Sequence, residues 1–284
     1  MSSANSVMNG ASSVPVRIAI AGASGRMGQA LIEATLDDGR FSLGAALDMP
    51  GSAVLGRDAG ERFGRATNVR VESDIASALR KADVLIDFTR PAGTLAHLAA
   101  CEQAGVAAVI GTTGLDDEAK ARIARHAGTV PVVLAPNMSV GVNVLAKLVR
   151  EAAALLGTGY DIEIVEMHHR HKVDAPSGTA LALGEAAAAG AGVALRDHAV
   201  YAREGVTGER KTGAIGFATL RGGDVVGEHS VIFAGAGERL ELSHRATSRR
   251  NFAVGALRAA AFVAEKRRNG EPGLFDMRDV LGIA

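Results

Sequence analysis

Three histidines, an arginine and a lysine fill residues 168–172 of the chain as His168-His169-Arg170-His171-Lys172. Histidine has the side chain whose ordinary pKa lies nearest neutrality, so it suits proton transfer at physiological pH. Directly downstream, "DAPSGTALALGEA" opens a helix, with Pro176 and Ser177 as its start signals. The free N–H groups at Gly178 and Thr179 would bind an anion there, and Lys172 would add positive charge. A carboxylate-bearing substrate fits this strip better than a phosphate-rich polymer, because the chain carries a formal net charge of zero. Two simpler uses compete with this reading. A metal would need ligands on one face, yet His168 and His169, adjacent on a strand, point to opposite faces. His169 and His171 could share a face, but Arg170 and Lys172 would oppose a cation, so no metal is expected. A solvated basic turn would be built from lysines rather than from histidines that are mostly neutral at pH 7.

A second constellation lies near the start. "IAIAGASGRMGQALIEA" sets Gly22, Gly25 and Gly28 between an apolar strand and a helix. The glycines let the backbone approach a pyrophosphate, whose charge the helix N-terminus holds. An ordinary strand–helix turn would also use glycine. Context favours a dinucleotide: Asp48 lies twenty residues past Gly28, at the end of the next strand, where an acid accepts from the adenosine ribose hydroxyls. Two further loops, "GTTG" at Gly111–Gly114 and "APNMSVG" at Ala135–Gly141, follow strands and would line the same cleft.

These groups need elements to position them. From Val16 onward, apolar runs alternate with helical stretches. Strands are expected at Val16–Ala21, 43–47, 84–88, Ala107–Ile110 and 130–135, and helices at Arg26–Asp37, 93–103 and 118–127. Apolar strands without period-two alternation, spaced by helices, argue for a parallel doubly wound sheet. After Asn137 the texture changes. A long amphipathic helix at Val140–Leu156 precedes "DIEIVEMHH", "AIGFATL", "VVGEHSVIFAG" and "ERLELSHRATS". Successive strands with short turns mean a mixed or antiparallel sheet, and so a second, smaller α+β domain. A final helix over 252–266 returns to the first domain. The division expected is a dinucleotide-binding domain over 16–139 and 249–284, and a substrate-binding and oligomerisation domain over 140–248. Residues 1–15 read as a disordered tail. The crossings near 137–140 and 248–251 are expected to act as a two-strand hinge.

Composition bounds the partners. The 284 residues are 48% apolar and 22% charged, the profile of a globular protein. Zero net charge gives no general attraction to nucleic acid or an anionic membrane. No apolar run reaches the roughly 18 residues of a membrane span, and the N-terminus lacks the basic start and apolar stretch of a secretory signal. A single cysteine, Cys101, suits a reducing cytoplasm.

The segments "GASGRMG", "DFTRPAGTLAHL", "VIGTTG", "NMSVGVNVLAKL", "IEIVEMHHRHKVDAPSGTALALGE", "YAREGVTGER", "GAIGFATLRGGDVVGEHSVIFAGAGERLELSHRATSR" and "GLFDMRDVLG" together resemble the 4-hydroxy-tetrahydrodipicolinate reductase (dihydrodipicolinate reductase) family from Val16 onward. The resemblance implies a cytoplasmic NAD(P)H-dependent reductase of the diaminopimelate route to lysine. It also implies a homotetramer of two-domain subunits acting on a small dicarboxylate. Cofactor contacts would come from Gly22, Ala23, Ser24, Gly25, Arg26 and Met27, and from Asp48. The loops would add Gly111, Thr112, Thr113, Ala135, Pro136, Asn137 and Met138. His168 would be the proton donor/acceptor and Lys172 a proton donor. His169, Gly178 and Thr179 would hold the substrate. The residues alone do not rank His168 above His169.

Asp48 favours a free ribose 2′-hydroxyl, and family members that use both cofactors often carry an arginine directly after that acid. Here Met49 follows, and Arg26 offers a 2′-phosphate partial compensation, so NADH preference with modest NADPH tolerance is expected. A thiol-dependent semialdehyde dehydrogenase would need a reactive cysteine, whereas Cys101 falls inside a helical stretch. A non-catalytic nucleotide sensor would have no need of His168 and Lys172 beside an anion site.

Overall fold

The computed structural model describes residues 14–283. Most of the N-terminal tail, residues 1–13, lies outside the described residues. The described residues form two compact units: 14–134 with 257–274, and 135–256 with 275–283. The later boundaries fall inside the last long helix and the last strand.

The first unit is a seven-stranded sheet. Its strands are β1 (Val16–Ala21), β2 (Phe41–Leu47), β3 (Val71–Glu72), β4 (Val84–Asp87), β5 (Ala107–Ile110), β6 (Pro131–Leu134) and β12 (Gly273–Phe275). Their order is β12-β6-β5-β4-β1-β2-β3, and the β3-to-β6 portion is parallel throughout. Such a sheet is covered on both faces, so its strands are apolar without alternation: β4 and β5 are buried at every position. The crossover helices are α1 (Arg26–Asp37), α2 (Ile75–Leu79), α3 (Pro91–Ala104) and α4 (Asp117–His126). Leu79, Leu98 and Ile123 from three of them are 1% exposed or less and pack in one cluster with β-strand residues such as Leu85 and Val132. Each such side chain contributes about 1.5–3 kcal/mol by leaving water. The chain order reverses between β1 and β4, and a doubly wound sheet receives its ligand beyond the strand ends at that switch.

The second unit is a mixed five-stranded sheet, ordered β11-β10-β7-β9-β8, with one face covered by helices. It comprises β7 (Asp161–His168), β8 (Ala199–Val200), β9 (Ile215–Arg221), β10 (Gly227–Ala234) and β11 (Arg239–Ala246). Helices α5 (Val140–Leu156) and α6 (Gly178–Ala191) lie against it, followed by α7 (Leu195–His198); α8 (Arg250–Arg268) and α9 (Met277–Leu281) complete the chain. From Ile162 onward β7, like the whole of β10, alternates strictly between buried and half-buried positions. Ile162, Ile164, Val231 and Phe233 form the inner face with Leu145 and Val149 of α5 and Leu183 of α6. Periodicity does not predict the short elements β3, β8, β12, α2, α7 and α9, because they hold neither a continuous apolar run, as the four-residue β4 to β6 do, nor enough turns for a helical period. The expected long elements are all present, within two residues at most ends.

Candidate active site

Strand β7 explains how the histidine strip is placed. Its inward parity runs Ile162, Ile164, Glu166, His168, so the buried face of the strand changes from apolar to ionisable at its C-terminal end. Pairing adds neighbours from remote segments. His229 of β10 stands opposite Glu166, and Arg221 of β9 stands opposite His168. Glu166 is 1% exposed. It accepts from Arg221 Nη1 and Nη2 at 2.7 and 2.9 Å, from the Ser177 N–H at 3.0 Å and from His168 Nδ1 at 2.6 Å. Burial pulls the Glu166 carboxyl up, but Arg221, His168 and Ser177 outweigh it and hold the group below the ordinary carboxylate range. His168 shifts down, chiefly by burial, with Glu166 opposing and Lys172 and Arg221 adding to the depression.

Behind His168 lies a second buried histidine. The His229 ring meets it edge-on, with centroids 5.0 Å apart. His229 Nε2 bonds the Ser177 hydroxyl at 2.9 Å, and burial, with His168 nearby, pushes its pKa down to about 4. It is therefore neutral at physiological pH.

The strip then turns away from the sheet. His169 is half-buried, with its Nδ1 buried and without a hydrogen-bond partner among the described residues. The His169 and His171 rings are 6.2 Å apart. Lys172 Nζ donates to both carboxylate oxygens of Asp174 at 2.8 and 2.9 Å. Arg221 also donates to the Asp174 carbonyl at 2.6 Å, which ties this turn to the Glu166 cluster. Helix α6 begins as its sequence suggests. The Ser177 hydroxyl caps the Ala180 N–H at 3.1 Å, and the Ser177 carbonyl accepts from Leu181. Gly178, exposed, and Thr179, half-buried, precede those two positions at the open end, where helix N–H groups have no partner within the helix. The Thr179 hydroxyl accepts from the Asn137 amide at 3.0 Å.

The glycine loop meets the geometry a dinucleotide requires. Gly22 has φ +73°, a conformation that side-chain-bearing residues rarely adopt. A Cβ on Gly28 would lie 2.0 Å from the Gly22 carbonyl oxygen, so no larger residue allows α1 to approach the strand this closely. Gly25, at the N-cap, has no side chain to occupy the first-turn N–H groups, which leaves them to a phosphate. Ala23 is buried and donates to the Leu47 carbonyl at 2.9 Å. Asp48 Oδ2 accepts from the Ser24 N–H at 2.7 Å, fixing the acid against the loop. Burial pulls the Asp48 carboxyl up, but the Ser24 and Met49 donors prevail and keep it ionised. Arg26 is exposed and Met27 half-buried at the helix start.

The two accessory loops divide their residues. Gly111 is pressed under the Phe88 ring, where a Cβ would lie 2.1 Å from the nearest ring carbon. Thr112 turns inward and bonds the Thr94 hydroxyl at 2.7 Å, whereas Thr113 is exposed. Ala135 and Met138 are buried, Met138 completely. Pro136 is exposed and Asn137 half-buried.

Sequence reasoning misses Glu166, Arg221 and His229, and in the nucleotide unit Asp87. A signal is present for two of them. Glu166 and His229 are polar residues at the buried parity of alternating strands, a position that has to be satisfied by partners. Asp87, 2% exposed at the end of β4, accepts from Thr89 at 2.7 Å and from His97 Nδ1 at 2.8 Å. Cys101 is fully buried in the core, and burial raises its thiol pKa, with Asp87 adding to the effect. A buried thiol held protonated is a poor nucleophile. Among the described residues, no helix is long and apolar enough to cross a membrane.

Known proteins resemble the chain over most of its length. The family descriptions "Dihydrodipicolinate reductase, N-terminus" and "Dihydrodipicolinate reductase, C-terminus" match residues 16–138 and 141–281. The 4-hydroxy-tetrahydrodipicolinate reductase of Thiobacillus denitrificans is 60% identical over 268 residues, covering 94% of this chain and 99% of its own. That of Dechloromonas aromatica is 59% identical over 267 residues, with 94% and 98% covered. The solved structure of a dipicolinate-bound dihydrodipicolinate reductase from Paenisporosarcina sp. TG-14 superposes with a TM-score of 0.71 at 28% identity, covering 92% of this chain and 97% of that one. The chain belongs to the dihydrodipicolinate reductase family, whose current name is 4-hydroxy-tetrahydrodipicolinate reductase.

Proposed function

We propose that this chain reduces 4-hydroxy-tetrahydrodipicolinate to tetrahydrodipicolinate, with loss of water, in the diaminopimelate route to lysine. The observation that carries the reading is the buried His168–Glu166–Arg221 cluster beside the open N-terminus of α6. It joins a proton-transfer group to an anion cradle within the family-matched C-terminal region. When bound, the nicotinamide supplies the hydride. In the balanced reaction the ring hydroxyl leaves as water with a proton lost from the adjacent ring carbon, and one hydride and one proton are then taken up.

His168 is the proton donor/acceptor, and Lys172 donates a proton or a hydrogen bond while countering the substrate charge. His169 and the N–H groups of Gly178 and Thr179 grip carboxylates, and the His169 Nδ1, without a partner among the described residues, supports that role. Residues 22–27 hold the pyrophosphate, Asp48 the ribose, and 111–113 with 135–138 the nicotinamide end. NADH is the preferred reductant, because Asp48 repels a 2′-phosphate and Met49 offers it no charge. The enzyme works in the cytoplasm as a homotetramer, needing neither nucleic acid nor membrane. The test is oxidation of NADH, followed by its absorbance, with the purified chain and freshly generated cyclic substrate. No oxidation with substrate present would overturn the reading.

A further inference from the structure

A carboxylate has no proton to donate, so the proton in the 2.6 Å Glu166–His168 bond lies on His168 Nδ1. Three other donor groups keep Glu166 in that role. The guanidinium of Arg221 binds it through both Nη atoms, the Ser177 N–H donates at 3.0 Å, and the Thr219 hydroxyl donates at 3.4 Å. All the acceptor capacity of this 1%-exposed group is thus directed by fixed elements: β7 itself, β9 and the start of α6. The other ring nitrogen of His168 faces β10. There a Cβ on Gly227 would lie 2.9 Å from Nε2 and 3.3 Å from Cδ2. Gly227 is buried, with its backbone in the ladder to Ala246, so strand pairing does not demand a glycine at this point. Its missing side chain makes room for the His168 ring against β10 and keeps a methyl group off Nε2.

We propose that Glu166, held by Arg221, is a positioning residue that fixes His168 as the Nδ1–H tautomer and leaves Nε2, beside Gly227, as the atom that passes the proton. The proposal rests on His168 being the proton donor/acceptor of the reaction. In the donating direction the Nε2–H bond breaks, its electron pair stays on Nε2, and a C–H bond forms on the ring that has accepted the hydride. His168 is left neutral with its proton on Nδ1. Glu166 remains ionised throughout and stabilises the imidazolium that precedes the transfer. A carboxylate needed only to neutralise Arg221 would not have to stand 2.6 Å from a histidine ring nitrogen.

The test combines tautomer and kinetics on the full chain. Imidazole 15N shifts of His168, assigned by its loss in His168→Gln, should report a proton on Nδ1 and not on Nε2 in the neutral ring. In Glu166→Gln, whose amide can donate to Nδ1, the tautomer should change. Its kcat should fall at least about tenfold with the KM for NADH unchanged. The groups facing the ring are Glu166 on β7, Arg221 on β9, His229 on β10 and Lys172 on the turn. Of these Glu166 alone raises its pKa, so the histidine-dependent limb of the kcat–pH profile should move to lower pH. Gly227→Ala should lower kcat with Glu166 intact. A neutral wild-type ring carrying its proton on Nε2, or Glu166→Gln with unchanged kcat and pH profile, would overturn the proposal. If Glu166→Gln does not fold, the wild-type tautomer and Gly227→Ala decide. Normal turnover in His168→Gln would remove the proton-transfer reading on which the proposal rests, while the nitrogen shifts would still judge the tautomer separately.

Discussion

The Asn137 side-chain amide donates to the Thr179 hydroxyl at 3.0 Å, joining a residue of the proposed nicotinamide loop to one of the proposed substrate cradle. Asn137 is itself fixed: its Oδ1 accepts from the Ser139 N–H at 2.9 Å and its carbonyl from Asn143 at 3.0 Å. Asn137→Ala should therefore raise the KM of the dicarboxylate as well as that of NADH. The scale is two- to tenfold, from a net hydrogen-bond contribution of about 0.5–1.5 kcal/mol. Steady-state kinetics with each substrate varied in turn would check it. A change confined to NADH would mean the bond to Thr179 has no bearing on the substrate.

His168→Gln and Lys172→Ala should each slow turnover by about a hundredfold or more, the scale of general acid catalysis. NADH binding, read by fluorescence titration, should survive in both. Lys172 is paired with Asp174, so Asp174→Asn is a useful companion and should leave kcat within a few-fold of wild type. Near-normal turnover in both primary variants, with folding intact, would return the histidine strip to a solvated basic turn.

Cofactor choice should respond to residue 49. The Met49 side chain is 71% exposed, so arginine is tolerated there without repacking. Met49→Arg should raise kcat/KM for NADPH roughly tenfold, as expected for one new charge-assisted contact of about 1.5 kcal/mol. NADH kinetics should change little. A wild-type enzyme that already prefers NADPH would reverse the assignment of Asp48 as a discriminating group.

Gly28→Ala should abolish nucleotide binding, because its Cβ would lie 2.0 Å from a backbone oxygen of the same loop. Relief requires α1 to retreat from β1, and the pyrophosphate cradle widens with it. Calorimetric titration with NADH that still gave wild-type affinity would show that the loop can absorb the methyl group.

Acid should destabilise the fold above the range where carboxylates titrate. The folded-state pKa of His229 is about 4 against an ordinary 6.5. Between those values the unfolded chain binds a proton that the folded chain does not, so the stability conferred by the neutral ring is complete above about pH 6.5 and is lost towards pH 4. His168 and His244, shifted down chiefly by burial, act in the same direction. The protein should be on the order of 1–2 kcal/mol less stable at pH 5 than at pH 7 on account of His229. Thermal melts of wild type and His229→Gln should show a shallower acid slope in the variant. Equal slopes would exclude His229 as the source.

Contiguous chemistry is legible in the amino-acid sequence by itself. The Gly22–Gly25–Gly28 spacing, the apolar strands from Val16 onward, the Ser177 cap and the density of histidines at 168–171 are each written within a few turns of chain, where local backbone preference and hydrophobic period act directly. They are enough to define a parallel doubly wound sheet and a second mixed sheet, and to point to the proposed anion site beside the proposed proton-transfer groups. The partners of those groups are not legible there. Arg221 stands 55 residues from Glu166, and His229 lies 52 from Ser177. Which of them meet depends on strand register and on the order β10-β7-β9, properties of pairing between remote segments. Burial then decides the chemistry. The same carboxylate or imidazole on an exposed loop would keep its ordinary pKa and rotate freely. On the inner faces of β7 and β10, desolvation and fixed donors set the charge of Glu166, the orientation of His168 and the neutrality of His229.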